Sequence, residues 1–569
     1  MSAPAKPSFE ADDARTRVDA LGRIGHENHL ANSERFTSNI RTVAPGVWCV
    51  TGNGLSNQTF IDAPDGIIAV DTGESIEEMT AALRYLRTVT SRPIAAVVYT
   101  HFHYVGGTQA VLTELGRDLP IYAHARVDIN RRRTGGEISP TYGRGLVEQF
   151  GISLPPDGPD GLINIGLGLT YRNAEHSPHS PGYVRPTHTF AESCELNIAG
   201  LKVFVHPAPS DADDSATFWF PDLNTAIHNL VWPVLFNVFA IRGEEYRDPR
   251  TLIAGVDHLI SLNADHLVPT HGAPMSGAAD IRRRATKYRD SIQFMWDQTV
   301  RLTNRGFSGE EIAAAIRLPD CYADDFITTE LYGVVEHHVR QIRCGLFGFF
   351  DGDEAKLFPL DRRDHSNRMI DAMGGRDRVR DMVRASRDRD TRWSLELASM
   401  LVHSDEAADS DRALLAEVLR TIAHRTSAAN IRNWCLTRAR HYDGTSDMAR
   451  HNQHRLNTRA LENDTPEAAV HILRVLLDPE LLGDTDLHIG WRFDDGAVTG
   501  LHLRHGVACC TDGQAADTTI TCTRGTWAAI LGSRTSLSAE IRSGSLTISH
   551  RVDEVMRSLA AFDVDGLRQ

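Results

Sequence analysis

TVTSRPIAAVVYTHFHYVGGTQA (residues 88–110) passes from an apolar run into a loop that carries two histidines. IAAVVYT (94–100) has the length and composition of a strand buried on both faces. His101 and His103 follow at i and i+2. In extended backbone such imidazoles point the same way, which suits the binding of one metal ion. Gly106 and Gly107 then let the chain turn tightly into a helix over GGTQAVLTEL (106–115). Strand, polar loop and helix in that order predict a layered α/β core.

The flanking sequence extends the pattern. VWCVTG (47–52), QTFIDA (58–63) and GIIAVDTG (66–73) are β-branched runs separated by turn residues, as expected of consecutive strands. SIEEMTAALRYLRTV (75–89) places Met79, Leu83, Leu86 and Val89 on one helical face, with Ser75 as N-cap. From Thr134 to Pro186 the chain is rich in Gly and Pro and lacks periodicity, which predicts an inserted loop too long for an ordinary connection. Strands resume at ELNIAGLKVFVHPA (195–208) and ATFWFPD (216–222), and NADHLVPTHG (263–272) reads as a strand ending at His271.

Beyond residue 278 strand signals nearly vanish. SIQFMWDQTVRLTNRG (291–306), SGEEIAAAIRLP (308–319), WSLELASMLVHS (393–404) and RALLAEVLRTIAH (412–424) are amphipathic helices whose apolar faces need partners. After residue 460 a helix, PEAAVHILRVLLD (466–478), leads into a strand meander with one further helix, TWAAILGS (526–533). The expected domains are 38–278 (α/β), 279–460 (helical, a candidate oligomer interface) and 461–569 (α+β).

Composition sets the outer limits. At about 150 residues per domain, 569 residues make about three domains. A hydrophobic fraction of 41% with 24% charged residues excludes a disordered or fibrous chain. A net charge of −15 argues against nucleic-acid binding through bulk charge. No run of 18 apolar residues suggests a membrane span, and MSAPAKPSFEADDARTR (1–17) lacks the apolar centre of a signal peptide. Eight scattered cysteines without a Cys-x-x-Cys pair fit free thiols in a reducing cytoplasm. The 26 histidines are the one excess, and most of them read as bystanders.

VDTG (70–73), the strand–THFH–GG–helix unit and PTHG (269–272) resemble the metallo-β-lactamase superfamily. The order of segments is similar to its type III alkylsulfatase branch, and TYGRGLV (141–147), GLGLTY (166–171), SATFWFPDLNTAIHN (215–229) and LFNVFAIRGEEYRD (235–248) carry local matches. The resemblance implies an αββα sandwich, an all-α dimerisation domain giving a homodimer, and an α+β sterol-carrier-like C-terminal domain. It also implies a metal-dependent hydrolase acting on a small anionic, sulfate-ester-like substrate with an apolar part. His101, His103 and His271 match metal ligands, Asp211 falls where the family has a glutamate ligand, and Asn229 falls on its bridging glutamate. Asn237 and Arg242 match sulfate-contacting positions, with Arg247 close by.

The family pattern His-x-His-x-Asp-His-x-Gly-Gly is shortened here to His101-Phe102-His103-Tyr104-Val105-Gly106-Gly107, so two ligands of a second metal are missing. One ion per chain is expected, with zinc first and iron as the alternative. Two histidines and a carboxylate suit a mononuclear catalytic zinc and equally an Fe(II) facial triad doing redox, lyase or isomerase work. A degenerate non-catalytic binder is the third reading. Asp213 or Asp214 stands as an alternative to Asp211, and His176, His179 or His188 as a replacement ligand. Tyr104 is read as a catalytic donor or acid and Tyr142 as a substrate contact, each with gap-filling as the plainer role. Trp219, Trp232 and Phe236 line the pocket or belong to the core.

Overall fold

The computed structural model describes residues 8–568. The expectation about a leader in residues 1–17 therefore lies, for residues 1–7, outside the described residues. Strand alternation builds the centre of the fold. In Gly66–Val70, Ile68 and Val70 pack between two sheets, whereas Ile67 and Ala69 turn to a helical layer. Seven strands, Asn39–Ala44, Val47–Thr51, Gln58–Ala63, Gly66–Val70, Ile94–Val98, Ile121–His124 and His188–Phe190, lie side by side in chain order. The first four pair antiparallel and the last four parallel.

Six strands form a second sheet, again in chain order: Cys194–Ile198, Leu201–Pro207, Ala216–Phe220, Thr225–His228, His266–Pro269 and Met275–Ser276. Phe218, Ile227 and Val268 meet Cys49, Ile61 and Ile68 in the layer between the sheets. Helices Ile76–Arg87 and Thr108–Leu115 cover the first sheet, and Pro249–Ser261 and Ala278–Thr303 cover the second. This is the αββα sandwich of the metallo-β-lactamase type that the resemblance implied.

Ser75 caps its helix as expected, its Oγ accepting from the backbone N–H of Glu78. Val89 departs from the expected face, because the helix ends at Arg87 and leaves it exposed. The expected loop from 134 to 186 is corrected at its start, since Ser139–Phe150 is a helix that buries Val147 and Phe150. The strand expected to end at His271 stops at Pro269, so His271 sits on the loop beyond it. Gly107 has an ordinary φ of −103°, so its freedom of conformation is not what the turn uses. Close approach is: a Cβ on Gly106 would lie 2.3 Å from Glu74 O, and one on Gly107 2.2 Å from Thr72 O.

Apolar packing continues past residue 278. Ile281, Ala285, Tyr288 and Ile292 share one core with Leu252, Val256 and Leu259. A separate helical core gathers Val379, Val383, Leu397, Leu401, Leu415, Leu419 and Leu436 from Arg376–Ser386, Thr391–His403, Asp409–Arg425 and Ala429–Tyr442.

The chain divides into two compact units, one comprising residues up to 130 with 144–448, the other 131–143 with 449 onward. In the second, five strands from Leu487–Phe493 to Leu546–Ile548 run in the order third, second, first, fourth, fifth. Trp491, Leu501, Trp527 and Phe562 form its core. The helix expected over 466–478 ends at His471 and continues as the short 3₁₀ turn Ile472–Val475. Among the described residues no helix is long and apolar enough to cross a membrane.

Candidate metal centre

Strand Ile94–Val98 delivers His101 fully buried and in extended backbone, with φ −169° and ψ −179°. The next residues break that geometry, because Phe102–Tyr104 form a 3₁₀ turn. His103 therefore does not share the extended backbone assumed from its i+2 spacing. The turn sets the two rings at 87°, with His101 Nε2 3.1 Å from His103 Nδ1. Asp211, on the loop after Leu201–Pro207, brings Oδ2 to 2.8 Å from His103 Nδ1 and 3.6 Å from His101 Nε2. Tetrahedral zinc with bonds of about 2.0–2.1 Å holds its ligand atoms about 3.3 Å apart. The three donors fit such an ion, and among the described residues they form the one His/Cys/Asp/Glu group close enough to hold a metal.

The tautomer of His101 follows from its partners. Asp71, at the end of Gly66–Val70, accepts Thr100 N at 2.8 Å and Thr100 Oγ1 at 2.7 Å. Thr100 Oγ1 in turn lies 2.9 Å from His101 Nδ1. With its own proton given to Asp71, that hydroxyl accepts from Nδ1–H and leaves the Nε2 lone pair for an ion. Burial pushes the His101 and His271 pKa down to about 4, so both rings are neutral near pH 7.

Two arginines hold the carboxylate. Arg247 donates through Nε and Nη2 to Asp211 O at 3.2 and 3.0 Å and through Nη2 to Asp211 Oδ1. Its Nη1 donates to Asn237 O and Oδ1 at 2.8 and 2.9 Å, so all three nitrogens serve the site's own framework. Arg242 Nη2 reaches Asp211 Oδ1 at 3.3 Å and Glu244 Oε2 at 2.9 Å. Burial alone would raise the Asp211 pKa, but Arg247, His103 and Arg242 hold it well below the usual carboxylate range. Glu244, opposed by burial and favoured by His103 and Arg242, is held at about 2. A Cβ on Gly145 would lie 2.0 Å from Arg242 O, so only glycine lets that helix approach the arginine loop.

Several expected residues take other places. Trp232 Nε1 donates to Asn229 Oδ1 at 3.1 Å, which fixes the carboxamide with Nδ2 toward His101, 3.3 and 3.4 Å from its two ring nitrogens. Asn229 thus turns a donor rather than a lone pair to the centre and is corrected as a ligand. His271 stands outside the triangle; its Nδ1–H donates to Leu55 O at 3.0 Å and its Nε2 lies 3.3 Å from the Tyr104 hydroxyl. Asp213 takes Asn130 at 2.7 Å, and Asp214 is buried outside the triangle. His176 is buried against Asn53 O at 2.9 Å, His179 is half-buried, and His188 stacks on Tyr122, so none of them replaces a ligand. Tyr142 lies half-buried in the second compact unit. Trp232 and Phe236 are core, whereas Trp219 is only partly buried.

Sequence reasoning missed Glu244, Thr100 and the clamp made by Arg247. Glu244 had a visible signal in RGEEYRD, an acidic pair between two arginines that both proved to be buried.

A buried His–His–Asp triangle at strand ends in an αββα sandwich defines a metal-dependent hydrolase of the metallo-β-lactamase type. The alkyl sulfatase dimerisation family matches residues 308–444 and the alkyl sulfatase C-terminal family matches 456–565. A linear primary-alkylsulfatase of Pseudomonas sp. is 33% identical over 471 residues, covering 79% of this chain and 87% of the relative. An (R)-specific secondary-alkylsulfatase of Pseudomonas sp. is 28% identical over 544 residues, covering 89% and 78%. The solved structure of the stereoselective inverting sec-alkylsulfatase Pisa1 from Pseudomonas sp. superposes with a TM-score of 0.86 at 23% identity, over 100% of this chain and 92% of that one. This chain belongs to the alkylsulfatase family.

Proposed function

We propose that the chain hydrolyses the sulfate ester of a small or medium alkyl sulfate at a single metal ion, zinc, held by His101 Nε2, His103 Nδ1 and Asp211 Oδ2. The observation that carries this is the donor triangle of 2.8, 3.1 and 3.6 Å in a chain whose relatives are named alkylsulfatases. A divalent ion held by these three residues would supply Lewis acidity and a nucleophilic water near pH 7. The positive charges of Arg242 and Arg247 offset Asp211 and Glu244, which leaves the ion's own charge to meet an anionic ester. Asn237 Nδ2 is a buried donor without a partner, its carboxamide oxygen being fixed by Arg247, and it is suited to a sulfate oxygen. Tyr104 spends its proton on His271, so its oxygen lone pairs orient the water. Hydrolysis yields the alcohol and sulfate.

A single ion is supported by Asn229, which turns an amide donor rather than a lone pair toward His101, and by Tyr104, whose hydroxyl occupies the Nε2 lone pair of His271. The same triad also suits Fe(II), and metal analysis of protein purified without chelators decides between them. His101→Ala should remove bound metal and sulfate release together, and turnover by a metal-free variant would overturn the reading.

The helical segment is proposed to form a homodimer. Its family match is to a dimerisation family, and Phe347, Phe349, Phe350, Leu357, Phe358 and Leu360 are all exposed within fourteen residues. Domains at 38–278, 279–460 and 461–569, the last sterol-carrier-like, remain the proposed division. Eight free thiols support a reducing, cytoplasmic setting.

A further inference from the structure

The ring around His103 closes on a residue to which the reaction assigns nothing. Asp211 bridges His103 and Arg242 on one side, through Oδ2 at 2.8 Å and Oδ1 at 3.3 Å. Glu244 bridges the same two side chains on the other, its single oxygen Oε2 lying 2.9 Å from Arg242 Nη2 and 3.7 Å from His103 Nε2. Acid and base alternate round four buried or nearly buried side chains, with 4, 11, 4 and 7% exposure for Asp211, His103, Arg242 and Glu244.

Burying a second carboxylate so close to Asp211 is unfavourable unless both of its partners need it. Arg242 alone does not explain it, since Asp211 already accepts from the same Nη2. The position opposite His103 Nε2 does. A histidine that gives Nδ1 to an ion carries its proton on Nε2, and a carboxylate facing that proton fixes the tautomer and makes the ring a better donor to the ion.

We infer that Glu244 is a positioning residue of the metal centre, holding His103 from behind while it ties that ligand to Arg242. The inference rests on the metal-centre reading above. It also couples His103 to the arginine that holds Asp211, since one carboxylate oxygen accepts from Arg242 and faces His103.

The test uses the full-length protein and its Glu244→Ala and Glu244→Gln variants, each stripped of metal and titrated with zinc against a chromophoric chelator. Glu244→Ala should weaken zinc binding about 10–100-fold, the usual cost of losing such a partner. Glu244→Gln keeps an acceptor oxygen without the charge and should recover part of that loss. Cobalt(II) loaded in place of zinc should show displaced visible bands in the alanine variant. Unchanged zinc affinity in a folded variant overturns the inference, because a residue that only neutralises Arg242 would alter melting and not metal binding. If Glu244→Ala does not fold, the isosteric Glu244→Gln decides by the same titration. A parent protein that binds no metal at all would instead overturn the metal centre itself.

Discussion

Tyr104 gives its hydroxyl proton to His271 Nε2 across 3.3 Å, while the other nitrogen of that histidine donates to Leu55 O. The lone pair of a matched metal-binding position is therefore spent inside the protein. Burial and the nearby Asp211 and Glu74 charges keep the phenol pKa well above its ordinary value, so Tyr104 acts as a neutral hydroxyl. Tyr104→Phe should lower kcat about 10–100-fold, the usual cost of losing a supporting partner at a metal centre, with metal content unchanged. Steady-state kinetics paired with metal analysis checks this; an equal fall in bound metal would instead make Tyr104 part of the ligand set.

Asn229→Glu would place a carboxylate where the amide nitrogen now faces His101. Without a second ion to meet it, the buried charge should destabilise the fold by about 3–5 kcal/mol. The variant should still hold about one metal ion per chain, as read by elemental analysis. Two ions in the unmodified protein would sink the single-ion proposal.

Asp211→Asn should do more harm than loss of a ligand alone. It leaves Arg247 buried without its counter-charge and Arg242 with Glu244 alone, a loss on the order of 3–5 kcal/mol even in metal-free protein. Denaturant unfolding of the stripped protein measures it, and an unchanged midpoint would show that the arginines do not depend on Asp211.

Glu78 provides a pH signature away from the metal. Burial first, then the neighbouring Glu74, raises its carboxyl from 4.5 to about 8, while Gln58 Nε2 donates to it at 3.0 Å. A folded pKa above the unfolded one means its contribution is present below about 4.5 and is lost as pH rises through about 8. Glu78→Gln should therefore gain on the parent from pH 5 to pH 9, with melting differences of about 2–4 °C per kcal/mol. Parallel melting curves across that range would contradict it.

Phe349 and Phe358, 82 and 89% exposed, should be covered in solution by a second copy of the chain. Replacing both with Ser should shift sedimentation from dimer to monomer. A monomeric parent would remove the basis of the dimer proposal.

Much of the fold was legible because period two and period 3.6 are written in the side chains. Ile67 to Val70 and Met79 to Leu86 announce their faces without any knowledge of partners. His101 and His103 were legible as candidates from their spacing, whereas Asp211 came only from the resemblance, with Asp213 and Asp214 left open beside it until the three-dimensional grouping set Asp211 against the histidines. What escaped depends on groups distant in sequence. Asn229 reads as a weak ligand until Trp232 takes its oxygen, and Arg247 reads as an anion holder until its donors are found on Asp211 and Asn237. The helix Ser139–Phe150 was hidden by Gly143, Gly145 and Pro140, whose low helix propensity was overridden by packing of Val147 and Phe150.

Gly106 and Gly107 leave no space for even one extra carbon beside the backbone of Glu74 and Thr72. For anyone wishing to retool the enzyme, this makes the glycine pair the fixed end of the histidine loop. Libraries there must spare both glycines and can vary Phe102, Tyr104 and Val105 only within the space the core leaves them, since all three are buried. New reactivity is therefore most accessible by exchanging side chains within the present frame.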